Sequence, residues 1–389
     1  MKTIRDFEDR LSGSRVLMRV DFNVPLDKET GEITNDLRIR RALPTIEFAR
    51  ERGGRVILMS HLGRPGGERD ESLSLRPVAE RLGELLEAEV AFAPDCVGAS
   101  AEEAVAALED GDVLMLENTR FHAGEKANDA DFAQQLASLA DLYINDAFGT
   151  AHRAHASTAG VAEHLPSAAG FLIEKEVEYL SRATENPEHP YVAVMGGAKV
   201  SDKIQVIRNL LDKVDAMLIG GAMAYTFLKQ QGVEVGNSLV EDDKLDVAAS
   251  LLEEAGDRII LPCDHVCARE IDADAEARTT DVEVPEGWIG LDIGPKTVEA
   301  FKEKISDAAL VTWNGPLGYF EISQFSLGTR AVAQALAESD AVSIVGGGET
   351  AEAVEELGLQ DDISHVSTGG GASLAFLSGE ELPGIAALD

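Results

Sequence analysis

Cysteine is nearly absent from this sequence of 389 residues: Cys96, Cys263 and Cys267 form an odd, sparse set. Such a set excludes a disulfide framework and fits free thiols in a reducing compartment. The one cluster, Cys263-Asp264-His265-Val266-Cys267, would be half of a zinc site, but no second ligand pair follows nearby. It continues the strand-like run 258–262, so small buried hydrophobes are the expectation. His152 and His155 are set aside as metal ligands in the same way. Long apolar runs are missing too. Stretches such as 192–195 and 114–116 fall far short of the roughly 20 residues of a membrane span, and the first ten residues are too charged for the core of a secretory signal. A cytoplasmic protein, without membrane partners, is expected.

Lysine is scarce, 12 of 34 basic residues, and the basic residues are outnumbered by 70 acidic ones. The resulting net charge of −36 argues against nucleic acid as a partner. Self-repulsion of that size at low ionic strength predicts adaptation to salt. With 44% hydrophobic and 27% charged residues the composition is that of a globular protein, and the length predicts two domains.

Short Val, Ile and Leu runs alternate with glycine-rich or polar clusters and then with helical periodicity, the pattern of βα units on a parallel sheet. The runs are 15–20, 55–60, 113–116 and 142–145, then 191–195, 216–219, 258–261, 310–313, 342–345 and 365–367. Helical segments include 39–52, closed by Gly53-Gly54, and 75–87, with Pro77 near its start. The charged, helix-like run 171–181 meets Asn186-Pro187-Glu188-His189-Pro190, which suggests a boundary. The expected organisation is an α/β chain of two doubly wound, parallel-sheet (Rossmann-like) domains facing each other across a cleft. Residues 1–170 form the first, 171–190 a hinge helix and linker, 191–375 the second, and 376–389 a tail packing back on the first. The acidic stretch 270–287 reads as a surface excursion with short strands.

Ligands of open α/β sheets bind beyond the carboxyl ends of the strands. In the first half those positions carry Asp21-Phe22-Asn23, His61-Leu62-Gly63-Arg64, Asn118-Thr119-Arg120 and Arg153, with Arg38 after the first strand. Recurring cations on one edge of so acidic a protein point to a small ligand with several anionic groups. In the second half glycine takes their place: Gly196-Gly197-Ala198-Lys199, Gly220-Gly221, Asn314-Gly315-Pro316, Gly346-Gly347-Gly348 and Gly369-Gly370-Gly371. Five such loops suggest a polyphosphate cradled by backbone N–H groups. Lys199 and Lys203, four apart, would share one face of a helix starting near Ala198. The sequence lacks GxxxxGK[ST], GxGxxG and the HRD and DFG elements, which excludes Walker-type ATPases, dinucleotide dehydrogenases and protein kinases. A multi-anion site in one half and a nucleotide-type site in the other is a layout for phosphoryl transfer. A two-lobed, non-catalytic anion-binding protein is the alternative from another class, but it has no use for two unlike sites. A kinase for a different small acid is the second.

The strings RVDFNVPL (19–26), SHLGRP (60–65), TAHRAHAS (150–157), GGAKVSDK (196–203), WNGPLGYFE (313–321), GGGET (346–350) and STGGGASL (367–374), in this order over nearly the whole chain, resemble phosphoglycerate kinase, most closely its bacterial form. The resemblance implies reversible phosphoryl transfer from 1,3-bisphosphoglycerate to ADP, giving 3-phosphoglycerate and ATP with Mg2+, by a monomer. It places the phosphoglycerate on Asp21, Phe22, Asn23, Arg38, His61, Leu62, Gly63, Arg64, Arg120 and Arg153. The nucleotide falls to Lys203, Asn314, Glu321, Gly347, Gly348, Glu349 and Thr350, with Glu321 on the ribose hydroxyls. Arg38, Lys199 and Gly370, with Gly369 and Gly371, would stabilise the group in flight. The sequence departs from the family's usual GGGDT at one place: Glu349 stands where an aspartate helps hold the metal, one methylene further out.

Overall fold

The computed structural model describes residues 1–27 and 29–388; Lys28, and Asp389 at the end of the expected tail, lie outside the described residues. The chain divides into two compact units. The first is Met1–Val177 together with the tail from Glu381, and the second is Glu178–Glu380. The division falls inside the helix Phe171–Thr184.

The first unit is built on six parallel strands: β1 (Arg15–Arg19), β2 (Arg55–Met59), β3 (Val90–Phe92), β4 (Val113–Met115), β5 (Leu142–Asn145) and β6 (Ser167–Ala169). Their order is β3-β4-β2-β1-β5-β6. β4 and β5 are buried along their whole length, and β1 and β2 in all but their first residue. Sheets covered on both faces require such continuous runs. Val16, in the middle, lies beside Val56 on one side and Leu142 on the other. The chain runs from β1 to the β2 side and later returns to β5 on the opposite side. With right-handed crossovers this puts helices on both faces and a topological switch point between β1 and β5. The helices Leu37–Glu51 and Arg76–Leu86 match the expected periodicity. β3 and β6 go unread in the sequence because they are three residues long and carry alanine where β-branched residues would signal a strand. In the tail, the short helix Pro383–Ala386 returns to this unit: the Gly384 carbonyl accepts from Asn145 Nδ2 at 2.9 Å, and its N–H donates to the Ala151 carbonyl at 2.8 Å.

The second unit repeats the plan with β7 (Tyr191–Met195), β8 (Ala216–Ile219), β9 (Ile259–Ile260), β13 (Leu310–Asn314), β14 (Val342–Gly346) and β15 (His365–Val366), in the order β15-β14-β13-β7-β8-β9. All are parallel, and the switch point lies between β7 and β13. A separate antiparallel sheet, β11-β10-β12, consists of β10 (Asp264–Ala268), β11 (Arg278–Asp281) and β12 (Ile289–Ile293). This corrects the expectation that 258–267 is one continuous strand-like run. Pro262 has no N–H to continue the ladder, and the Cys263 N–H turns to Thr297 Oγ1 at 3.0 Å. The acidic stretch 270–287 therefore holds β11 of a sheet whose middle strand is β10.

Candidate active site

In the first unit the loops after β1, β2 and β4 and the loop beyond β5 bring basic groups together. His61, 4% exposed, lies among them. Burial first, then the charges of Arg19, Arg120, Arg38 and Arg153, push its proton affinity well below the ordinary histidine value. Three of the expected cations, Arg38, Arg120 and Arg153, thus act on one ring together with Arg19, whereas Arg64 is not among the charges that move it. Arg120 is 7% exposed, donates through Nη1 to the Gly63 carbonyl at 2.8 Å, and keeps a buried Nε without a partner among the described residues. Burial, reinforced by Arg19 and Arg153, pulls it down to about 10. His155 is held at about 4, again by burial and then by Arg120, Arg19 and Arg153. Arg38 is half-buried and paired with Asp21 at 3.1 Å, and the same nitrogen reaches the Asn23 carbonyl at 3.1 Å.

The neutral members frame these cations. Asn23 Oδ1 accepts from the Gly63 N–H at 2.8 Å, Asn118 Oδ1 from the Leu62 N–H at 3.2 Å, and Ser60 Oγ from the Phe22 N–H at 2.9 Å. These bonds lock the β1, β2 and β4 loops to one another. Phe22 and Leu62 are buried in the core, so their side chains support the loops from below. Arg64 and Arg153 are exposed, and Arg64 makes no bond to a described residue. Arg153 Nε donates to His152 Nε2 at 3.1 Å. Arg19, a fully buried cation, is missed by a search of strand ends because it sits within β1 rather than after it. An arginine directly after the buried apolar run Val16-Leu17-Met18 is the signal that could have found it.

In the second unit the glycines sort into two groups. Gly196 and Gly315 pack backbone on backbone at the β7–β13 switch point: a Cβ on Gly196 would lie 2.2 Å from the Pro316 carbonyl, and one on Gly315, at φ +99°, 2.2 Å from the Gly196 carbonyl. Gly221 is equally confined, 2.6 Å from the Gly197 nitrogen. Gly197, Gly348 and Gly370 instead face open space, with nothing within 4 Å. Gly348 opens the helix Gly348–Glu356, which Gly347 caps at φ 92°, and Gly370 caps the helix Gly371–Leu377 at φ 49°. Lys203 reaches Asn314 Oδ1, while Asn314 Nδ2 is buried without an acceptor among the described residues. Burial lowers Lys203 to about 8 against the raising charges of Asp202 and Glu349. Thr350 is buried, and its hydroxyl accepts from the Gly315 N–H at 2.7 Å. Lys199, Glu321 and Glu349 are exposed.

A cavity beside these loops is lined by Gly221, Gly290, Leu291, Pro316 and Leu317, among others, and reaches Glu321 and Glu349. Gly290 and Leu291 belong to β12 and carry no motif, so nothing in the sequence marks this wall. The placement of Lys199 is a correction. It has extended backbone at φ −126° and precedes the 3-10 turn Val200–Asp202, and the α-helix begins only at Ile204. The two lysines therefore do not share a helical face.

The Cys263-to-Cys267 cluster carries no metal geometry. His265 spends Nδ1 on the Tyr225 hydroxyl at 3.2 Å and Nε2 on the Val282 carbonyl at 3.1 Å. Cys267 is buried as expected, whereas Cys263 is exposed. Among the described residues one group of three possible ligands exists, Asp95, Cys96 and His122. There His122 Nε2 is bonded to Asp95 Oδ1 at 2.7 Å, and burial, with Asp95 and Glu125 adding to it, keeps the Cys96 thiol protonated.

A family model, phosphoglycerate kinase, matches residues 4–380. The phosphoglycerate kinase of Thermosipho africanus is 59% identical over 394 residues, covering 99% of this chain and 97% of that protein. That of Chlorobaculum tepidum is 57% identical, over 100% and 99%. Among solved structures, the phosphoglycerate kinase of Coxiella burnetii superposes with a TM-score of 0.89 at 46% identity, covering 97% and 96%. That of Pyrococcus horikoshii gives 0.87 at 34%, covering 100% and 98%. Matches of this extent in both sequence and fold have one meaning: the chain belongs to the phosphoglycerate kinase family.

Proposed function

We propose a division of labour for the family's reaction, the reversible transfer of a phosphoryl group from 1,3-bisphosphoglycerate to ADP, in which each unit holds one substrate. Two unlike anion sites, each at the switch point of its own sheet, carry this reading. In the first unit Arg38, Arg64, Arg120 and Arg153 neutralise the phosphoglycerate, Asp21, Asn23 and His61 bond its oxygens, and Phe22, Leu62 and Gly63 shape the loops. In the second, the Gly221–Leu291–Leu317 cavity takes the base and Glu321 accepts from the ribose hydroxyls. Asn314, Gly347, Gly348 and Thr350 with Lys203 hold the phosphates. The orphaned Asn314 Nδ2 and the open cradle at Gly348 support this, because a buried donor and an uncovered helix start both call for an anion.

The attacking atom is a β-phosphate oxygen of ADP, or the 3-phosphoglycerate carboxylate in reverse. Both are ionised near neutral pH, so no general base is required. Alignment and charge stabilisation are what remain. Arg38 and Lys199 stabilise the charge on the transferring group, and the N–H groups at Gly370 and its neighbours donate to it. Magnesium fits the donor set: Glu349 is an exposed carboxylate beside Lys203 in the first turn of the glycine-opened helix, and this ion is commonly held by one carboxylate plus substrate phosphates. When bound it would neutralise phosphate charge. The same reading makes the protein a cytoplasmic monomer, and it requires the two ligands to meet by bending within 171–190, where the chain passes between units.

A coupled assay of ATP formation from 1,3-bisphosphoglycerate and ADP tests the whole. Arg38→Ala and Lys199→Ala should each lower kcat by about 100-fold or more. Arg120→Ala should mainly raise KM for 3-phosphoglycerate, because it binds ground and transition states alike. A Lys199→Ala enzyme with wild-type kcat removes that residue from the transition state.

A further inference from the structure

His61, assigned above to substrate oxygens, is backed by three buried groups to which the mechanism gives no role, namely Arg19, Ser157 and Glu125. Arg19 is fully buried and every nitrogen has a partner. Nε donates to Ser157 Oγ at 2.8 Å, Nη1 to the Val20 carbonyl, and Nη2 lies 3.0 Å from His61 Nδ1. Ser157 in turn donates to the fully buried Glu125, through Oγ at 2.6 Å and its backbone N–H at 2.9 Å. Buried charge is thereby matched, Arg19 against Glu125, with the serine between them.

A guanidinium has donors only, so at this contact His61 Nδ1 accepts. The group that would ask for a proton on Nδ1 is Asp21, and its Oδ1 stands 3.9 Å away, beyond hydrogen-bond range. A neutral imidazole accepting at Nδ1 carries its proton on Nε2. That nitrogen makes no bond to a described residue and is not sealed from solvent. A second proton is opposed by burial first and then by Arg19 from β1, Arg120 after β4, Arg38 from the helix Leu37–Glu51 and Arg153 beyond β5, while the Asp21 carboxylate, 3.9 Å from Nδ1, is the near group that would favour the cation.

We propose that Glu125, Ser157 and Arg19 are positioning residues that hold His61 as the neutral Nε2–H tautomer, so that it serves the phosphoglycerate as a directed hydrogen-bond donor and not as a further cation. The proposal rests on the reading that phosphoglycerate binds in the first unit. A donor of fixed direction selects an acceptor oxygen at one place, which the exposed heads of Arg64 and Arg153 do not.

The test is a long-range 15N–1H spectrum of the substrate-free, histidine-labelled full chain, with His61→Gln used for assignment. The expected result at pH 7 is a pyridine-type Nδ1 and a pyrrole-type Nε2. An imidazolium pattern, or a proton on Nδ1, overturns the proposal. Arg19→Lys should mix the tautomers and raise KM for 3-phosphoglycerate by about tenfold, with a smaller change in kcat. If that variant does not fold, Ser157→Ala, which frees the Nε end of Arg19, is read in the same way. A His61 spectrum identical to wild type in the folded variant overturns the relay. His61→Gln, whose amide reaches the Nε2 position, should keep KM within a few-fold, whereas His61→Asn should not; equal losses in both overturn the directed donor. Should His61→Ala leave KM unchanged while the spectrum is as expected, the tautomer stands and the assignment of phosphoglycerate to this site fails.

Discussion

Lys203 shows how one side chain can set a pH limit on function. Burial lowers it to about 8, so the free enzyme carries the ammonium below that pH and loses it above. If Lys203 holds nucleotide phosphate as proposed, that attraction must weaken as pH rises through about 8. The expected profile of kcat/KM for ADP, which reports the free enzyme, is level near pH 7 and falls toward tenfold per unit on the alkaline side. Lys203→Arg keeps its charge throughout this range and should abolish the fall even if its overall activity is lower. A wild-type profile level to about pH 9.5 would remove Lys203 from phosphate binding.

At the scale of elements, the glycine-rich loops are not interchangeable. Gly196 and Gly315 allow two strand ends to touch, so Gly196→Ala should lower stability by about 2 kcal/mol or more through overpacking. Gly315→Ala adds the strain of positive φ. Gly348 starts a helix and faces open space, and alanine there costs the fold nothing or stabilises it by up to about 1 kcal/mol. If that space receives phosphate, Gly348→Ala should nonetheless raise KM for ADP. Melting curves and KM measured on the same preparations separate the two classes. Equal loss of stability in all three variants would refute the sorting. Helix starts are held by buried carboxylates as well: Asp264 accepts from the Lys296 and Thr297 N–H groups at 2.9 and 2.8 Å, and Asp146 from the Leu172 N–H at 2.8 Å.

For the whole molecule the dominant quantity is the charge of −36. Salt acts in two directions, screening the attraction of substrate phosphates to the arginine cluster and relieving repulsion among surface carboxylates. At 1 M salt the Debye length is about 3 Å, so repulsion between separated surface charges is nearly removed, while contacts made within a partly dehydrated site persist. The unfolding midpoint should therefore rise from about 0.05 to 0.5 to 2 M KCl, with activity retained at the highest concentration. A midpoint that is level or falls over the series would make the acidic excess unrelated to salt.

Most strands of the two parallel sheets are legible from sequence, β3 and β6 excepted, because strands buried on two faces must be continuously apolar, and glycine or polar clusters must follow where the chain turns. The same logic found the edge of each sheet that carries the charged and glycine loops. What the chain order alone could not reveal were contacts made by residues whose local sequence looks ordinary. Arg19 reads as one more strand residue until folding joins it to His61, 42 positions away, and to Ser157, 138 away. Gly290 and Leu291 line the cavity of the second unit only because β12 pairs with β10 in a sheet of its own. Spacing places Lys199 on a helix, yet the helix starts later, because the 3-10 turn at Val200–Asp202 intervenes. Periodicity records which face is buried and motifs record which chemistry is present. Which buried atoms meet is decided by tertiary packing, since pairs distant in sequence leave no mark on the residues beside them.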